Sequence, residues 1–175
     1  MVLPTTYMGS VEWYRQFLAN PLAVQIEVME SFPKQTYRNR CTITTPDGPL
    51  TLSVPVKRAD SKQLTRDVEI SYQQRWQHQH WIALVSAYKR TPYFDYYADS
   101  FRPFYEKETK FLVDLNEGLH DVIVRLLTNE AWRQEGEKAR RTSDWMGIDL
   151  ESTFGNGQSI LDLLFEYGPE TIMKI

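Results

Sequence analysis

Between Tyr37 and Val56 the chain alternates in two blocks around one turn, and no other pattern in the sequence is as restrictive. Tyr37, Asn39, Cys41 and Ile43 fall on one side of a period-2 repeat, and Arg38, Arg40, Thr42 and Thr44 on the other. Pro46-Asp47-Gly48 has the composition of a turn, and Leu50, Leu52, Val54 and Val56 resume the alternation. The spacing predicts a β-hairpin at about 37–56 with one apolar face.

The flanking segments predict what packs beside it. Met1 to Tyr7 is short and apolar enough for a first strand. Ser10 is a good N-cap for a helix from Val11 to about Ala19, which Asn20-Pro21 stops. Leu22 to Val28 reads as a buried strand, and Val68 to Ser71 as a short additional one. Helices dominate afterwards. Trp81, Leu84, Val85 and Tyr88 recur at the spacing of one helix face, predicting a helix from about Gln74 to Lys89 that ends before Pro92. Ser100 is placed to cap a helix from Phe101, and Asp114 with Glu117 predicts a new helix start within that long pattern. Ser159 with Asp162 predicts another start before Leu161, Leu163, Leu164 and Phe165, with Gly168-Pro169 as the stop. The expected fold is α/β or α+β. It is a small mixed sheet covered by helices, with a helical C-terminal half and one domain over 1–175.

Composition excludes several classes. With 42% hydrophobic and 25% charged residues, the chain is not of the disordered type. It holds no run approaching the roughly 20 apolar residues of a membrane helix. No secretory signal opens it, and Cys41 is its single cysteine, so a reducing cytoplasm is the expected compartment. Phosphate-binding GxxxxGK, GxGxxG, GxSxG, HExxH, CxxC and DxD patterns are all absent, so no cofactor is expected.

Charge is unevenly spread. Lys34, Arg38, Arg40, Lys57, Arg58, Lys62 and Arg66 stand against only Asp47 and Asp60 in their window, although the whole chain carries −3. Arg38 and Arg40 are expected to project from the same strand face, with Lys34 just before them. That arrangement suits phosphate oxygens. Asn39, on the apolar face, is expected to tie down a loop rather than touch ligand. A negative net charge and a sequence pI near 5.7 rank nucleic-acid binding last.

Other side chains invite chemistry. His78 and His80 are two apart, so on a helix they point away from each other and cannot share one ion; no metal site is expected. Cys41 with His80 as base would make a nucleophile pair, but Cys41 falls on the apolar side. His80 shares a helix side with Trp76, Ala83, Leu84 and Ala87, and is expected where that helix meets the hairpin, as a core-edge residue or as a proton carrier. Tyr88 to Tyr105 holds eight aromatics, which either floor a pocket or pack where helices meet.

Several blocks together resemble a known family. They are Leu3-Pro4-Thr5-Thr6-Tyr7, Lys34-Gln35-Thr36-Tyr37-Arg38-Asn39-Arg40-Cys41 and Leu52-Ser53-Val54-Pro55-Val56. After them come His80-Trp81, Ser86-Ala87-Tyr88, Pro92-Tyr93-Phe94, Tyr96-Tyr97, Ser159-Ile160-Leu161-Asp162-Leu163-Leu164-Phe165 and Gly168-Pro169-Glu170. In this order they resemble the WbqC-like family of bacterial proteins, in the wording of its Bacteroidetes-type branch. The resemblance implies a protein of O-antigen or other surface-polysaccharide gene clusters, acting on nucleotide-linked sugars, with no settled catalytic residue. Family members have a longer stretch, including a Tyr-Gln-Val-Phe-like segment, before the Ser-Ile-x-Asp-Leu-Leu-Phe block. Here Asp144 to Gln158 is short, through a deletion or through residues missing from the chain.

The leading expectation is a cytoplasmic protein that binds a phosphorylated or nucleotide-linked sugar and transfers a small group to it. Tyr7, Lys34, Arg38, Arg40 and Tyr88 are its expected ligand-binding residues, and His80 and Cys41 its catalytic ones. The alternatives are a non-enzymatic protein-interaction module and a Cys41-dependent acyl or aminoacyl transferase.

Overall fold

A computed structural model describes residues 1–57, 62–128, 141–142 and 157–175, with 141–142 in backbone only. Arg58 and Asp60 of the basic window, and most of Asp144 to Gln158, lie outside the described residues.

The first layer is a strand–helix–strand unit. Strand β1 (Val2–Pro4) leads through helix α1 (Val11–Ala19) to strand β2 (Gln25–Glu27), which lies parallel to it with Leu3 opposite Ile26. Parallel neighbours need such a crossover. Ser10 caps α1 by accepting the Trp13 N–H at 3.2 Å, and α1 buries Trp13, Tyr14 and Phe17. The predicted strand from Leu22 is shorter than expected. Pro21 opens a single 3-10 turn over Pro21–Ala23, leaving Leu22 88% exposed, and pairing begins only at Gln25. Strand β5 (Arg141–Thr142) pairs with β2 on its other side, again parallel.

The hairpin forms a separate two-stranded sheet from β3 (Arg40–Thr45) and β4 (Gly48–Ser53), with Cys41 opposite Leu52 and Ile43 opposite Leu50. Pro46 and Asp47 make the loop, and Gly48 follows at φ 115°, a conformation side chains disfavour. Pairing starts three residues later than the alternation predicts. Tyr37, Arg38 and Asn39 form a turn in which the Asn39 N–H donates to the Thr36 carbonyl at 3.1 Å, and all three are buried. Arg38 therefore does not share a face with Arg40. Val68 to Ser71 makes isolated bridges, Val56 with Ile70 and Glu69 with Phe111, rather than a strand.

Helix α2 (Trp76–Tyr88) buries Trp76, His80, Leu84 and Tyr88, four residues apart each time. This stripe differs from the predicted one, since Trp81 and Val85 are only half-buried at its margin. His80 can lie inside because both of its ring nitrogens find partners. Pro103 opens α4 (Pro103–Glu106) directly after α3 (Phe94–Phe101), so Ser100 sits in the last turn of α3 and caps nothing. Helix α5 (Leu112–Thr128) runs unbroken through Asp114, which lies in its first turn, where a carboxylate suits the helix dipole. Helix α6 (Ile160–Tyr167) starts at Ser159, whose hydroxyl accepts the Leu161 N–H, and ends at Gly168 (φ 55°), after which a 3-10 segment runs over Gly168–Met173.

Buried side chains from both sheets and all the helices form one apolar cluster. Phe165 of α6 meets the rings of Tyr88, Phe94 and Phe101 at centroid distances of 4.8, 5.3 and 5.6 Å, so most of the aromatic-rich stretch is core. Tyr96 is the exception at 79% exposed. Among the described residues no helix is long and apolar enough to cross a membrane.

Candidate functional site

Three segments far apart in sequence close around a cavity of about 200 Å³. The loop after β1 supplies Thr6, Met8, Gly9 and Ser10. The approach to β3 and the strand itself supply Gln35 to Tyr37 and Arg40 to Thr42, with Thr51 from β4. Gly157 and Ser159 complete the wall before α6. Main-chain bonds hold the segments together. The Tyr7 N–H donates to the Tyr37 carbonyl at 3.0 Å, the Ser159 N–H to Thr42 at 3.2 Å and the Ile160 N–H to Gly9 at 3.0 Å. The Ser159 hydroxyl also donates to the Met8 carbonyl at 3.1 Å. The two helix caps foreseen in the sequence, Ser10 and Ser159, bridge each other across this wall.

Among the described residues, the lining carries one formal charge, that of Arg40, and no carboxylate. Arg40 Nε donates to the Ser53 hydroxyl at 3.3 Å, and among the described residues no acidic side chain pairs with it. Thr42 and Thr51 share a hydrogen bond at 3.2 Å across the hairpin. Two non-glycine residues with left-handed backbones, Met8 (φ 48°) and Gln35 (φ 64°), sit on different walls of this same cavity. Such backbones cost roughly 1–2 kcal/mol each.

Behind Met8 and Cys41 lies a row of buried polar groups. Tyr105 Oη is 3.0 Å from Tyr7 Oη, which is 2.8 Å from His80 Nδ1. The His80 ring also donates to the Ser53 backbone carbonyl. Tyr105 Oη also donates to Met8 Sδ at 3.4 Å, so the row reaches the back of the cavity wall. Burial pushes the His80 pKa down to about 4, with the Ser53 carbonyl opposing the shift, so the ring is neutral at pH 7. Burial also raises the pKa values of Tyr7 and Tyr105. Cys41 is 8% exposed; burial first, and then the Asp162 carboxylate, push its thiol upward, so it stays protonated at neutral pH.

The predicted site residues separate into groups. Arg40 and Cys41 line the cavity. Tyr7 and His80 lie behind it in the polar row. Tyr88 is also buried and donates to Asp162 Oδ1 at 2.6 Å, while Asp162 accepts the Thr44 N–H and hydroxyl at 3.0 and 2.9 Å. This clasp ties α6 to β3, which is why Asp162 does not act as the second half of a capping box. Lys34 is exposed and lies outside the lining. Arg38 is a correction. At 4% exposed it forms a fork with Glu30, through Nε to Oε1 and through Nη2 to Oε2 at 2.9 Å, and it stacks over the Tyr37 ring at 5.0 Å. A desolvated guanidinium needs that carboxylate, eight residues upstream, and has no charge to spare for ligand. Asn39 is buried; its amide donates to the Val54 carbonyl at 2.9 Å, and its Oδ1 has no partner among the described residues. His78 is exposed while His80 is buried, so the two diverge on α2. The sequence did not point to Met8, Gln35, Thr51 or Gly157.

Two other concavities are less suited to a ligand. An open groove of about 550 Å³ includes Glu69, but Lys57 at 2.6 Å and Lys110 at 3.7 Å neutralise it. A cavity between α1, β2 and α5 holds about 20 Å³, room for one water.

In comparisons with known proteins, the family model described as the WbqC-like protein family matches residues 26–145, well over half of the chain. No curated protein and no solved structure matches it.

Proposed function

The chain belongs to the WbqC-like protein family, and from that premise we propose that it binds a phosphorylated or nucleotide-linked sugar for surface-polysaccharide synthesis of the O-antigen type, in the cytoplasm. One observation carries this reading. A polar cavity of about 200 Å³ has Arg40 as its only charged lining residue among the described residues, with hydroxyl and amide side chains around it. A guanidinium without a carboxylate partner suits a phosphate, and side chains that both donate and accept suit sugar hydroxyls.

Transfer of a small group to the sugar is the reaction class that accompanies this reading. His80, neutral at pH 7, would take part through the Tyr7 hydroxyl rather than by touching the ligand. The Cys41-dependent alternative has less support, because the thiol is held protonated and both ring nitrogens of His80 are engaged. The interaction-module alternative is left with the partly open Tyr93 and Tyr97, stacked at 5.6 Å, and the exposed Tyr96.

A thermal-shift screen of the full chain tests the reading. Sugar phosphates and nucleotide sugars at millimolar concentration should raise the melting temperature of the wild type and not of Arg40→Gln. If no phosphorylated sugar stabilises the wild type, the proposal fails.

A further inference from the structure

We infer that the cavity seats the phosphosugar end of its ligand and leaves any nucleoside outside, so that the protein recognises a sugar phosphate rather than a nucleotide. This rests on the reading of the cavity as an anionic-sugar site, and three features of the same cavity carry it further.

Size comes first. The space is about 200 Å³, whereas pockets that enclose a drug-sized ligand run to roughly 300–1,000 Å³. The space falls below that range, which suits one hexose ring with its phosphate and places a ribose and a base at its open side.

The second feature is the absence of a stacking surface. Recognition of a base without regard to sequence relies on an aromatic face. Among the described residues the one aromatic lining residue is Tyr37, and its ring is covered by the Arg38 guanidinium. Tyr7, Tyr88 and Tyr105 are buried behind the wall, with their hydroxyls already bonded.

Charge and donor count are the third. A single guanidinium fork matches one phosphate group, and a diphosphate held along its length usually meets more than one cation. Among the described residues no acceptor takes the backbone N–H of Gln35 or Thr36. Gln35 holds the left-handed backbone at that point of the wall, and successive main-chain N–H groups in such turns form concavities for anions. Thr42 and Thr51 then offer hydroxyls to the sugar.

Isothermal titration separates this inference from the reading beneath it. The probes are glucose, galactose and N-acetylglucosamine 1-phosphates, the matching uridine diphosphate sugars, UDP, and inorganic phosphate, each against the full chain. The inference expects at least one sugar 1-phosphate to bind within about threefold of its uridine diphosphate counterpart, and UDP and phosphate to bind at least about tenfold more weakly. Arg40→Gln should weaken the sugar phosphate by about tenfold or more, as loss of a charge-assisted fork implies. Arg40→Lys, which keeps the charge but not the fork, should fall between wild type and Arg40→Gln, and it serves if the glutamine variant does not fold. UDP binding as tightly as the nucleotide sugars, with the sugar phosphates silent, overturns the inference and leaves an anionic-ligand site standing. Silence of every probe overturns both.

Discussion

Replacing His80 by glutamine isolates the one buried imidazole whose titration the structure makes costly. His80 is 5% exposed, and its Nδ1 faces the Tyr7 hydroxyl, itself bonded to Tyr105, while the ring's N–H faces the Ser53 carbonyl. Among the described residues no carboxylate meets the ring to support a cation. Folding lowers its pKa from the unfolded value near 6.5 to about 4. Between those two values the unfolded chain binds more protons than the folded one, so the stabilising contribution is complete above pH 6.5 and is lost as pH falls towards 4. Linkage at these pKa values gives a loss of about 2 kcal/mol between pH 7 and pH 5 from this residue alone. For a chain of this size that is roughly 4–8 °C in melting temperature. Glutamine can still accept from Tyr7 and donate to Ser53 but does not titrate. The assay is urea unfolding of wild type and His80→Gln at pH 7, 6 and 5. The gap between them should move in favour of the variant by about 2 kcal/mol across that range. Every other group is common to the two proteins and cancels. A gap that stays constant with pH refutes the reasoning. If His80 is also the proton carrier of a transfer reaction, the variant should retain ligand affinity while losing turnover. Lower stability with full specific activity removes it from the site.

Two further predictions concern its neighbours. Arg38→Met should cost about 3–5 kcal/mol, because it strands the Glu30 carboxylate in a buried position; calorimetry checks the cost, and binding through Arg40 in the fraction still folded should change by no more than about twofold, inside the spread of a residue that does not touch ligand. Cys41 in the folded chain should react with iodoacetamide at pH 8 at least about tenfold more slowly than in urea, since its thiol is both covered and held protonated, and labelling at the unfolded rate would remove that account of the wall.

Local signals in the sequence led to elements, and the departures have local causes. Ser10 and Ser159 were readable as caps because their short side chains accept helix N–H groups. The hairpin was readable from parity at Cys41, Ile43 and Leu52, all of which are buried. Parity misled at Tyr37 to Asn39, where a turn buries three consecutive side chains. Nothing near Arg38 in the chain announces Glu30 as its partner, because Phe32 and Thr65 must first fold the intervening segment back: the Phe32 N–H donates to Gln63 and the Thr65 N–H to Glu30. The cavity was legible only in part for a similar reason. Its walls come from residues 6–10, 35–42, Thr51 and 157–159, and no window of sequence holds all of them.

The contrast between two arginines separated by one residue locates the function within the fold. Arg38 is buried, and the chain satisfies it with a carboxylate fork, a threonine hydroxyl and an aromatic face. Arg40 is half-buried and has a single serine hydroxyl from its partner on β4. The same short stretch therefore neutralises one guanidinium fully and leaves the next available, and the available one faces the cavity. The two left-handed residues, Met8 and Gln35, border that cavity as well. Local rules are usually obeyed throughout a natural fold, and departures from them collect where function requires it. An unpaired cation and two strained backbones could be scattered over a surface without meaning. Here they meet around one polar cavity, beside which Ser53 bonds Arg40 through its hydroxyl and His80 through its carbonyl. That shared serine links the buried row to Arg40, so His80→Ala, which unlike the glutamine variant loses the bond to the Ser53 carbonyl, should alter the affinity for a phosphorylated sugar less than Arg40→Gln does, and more than a substitution at the exposed His78.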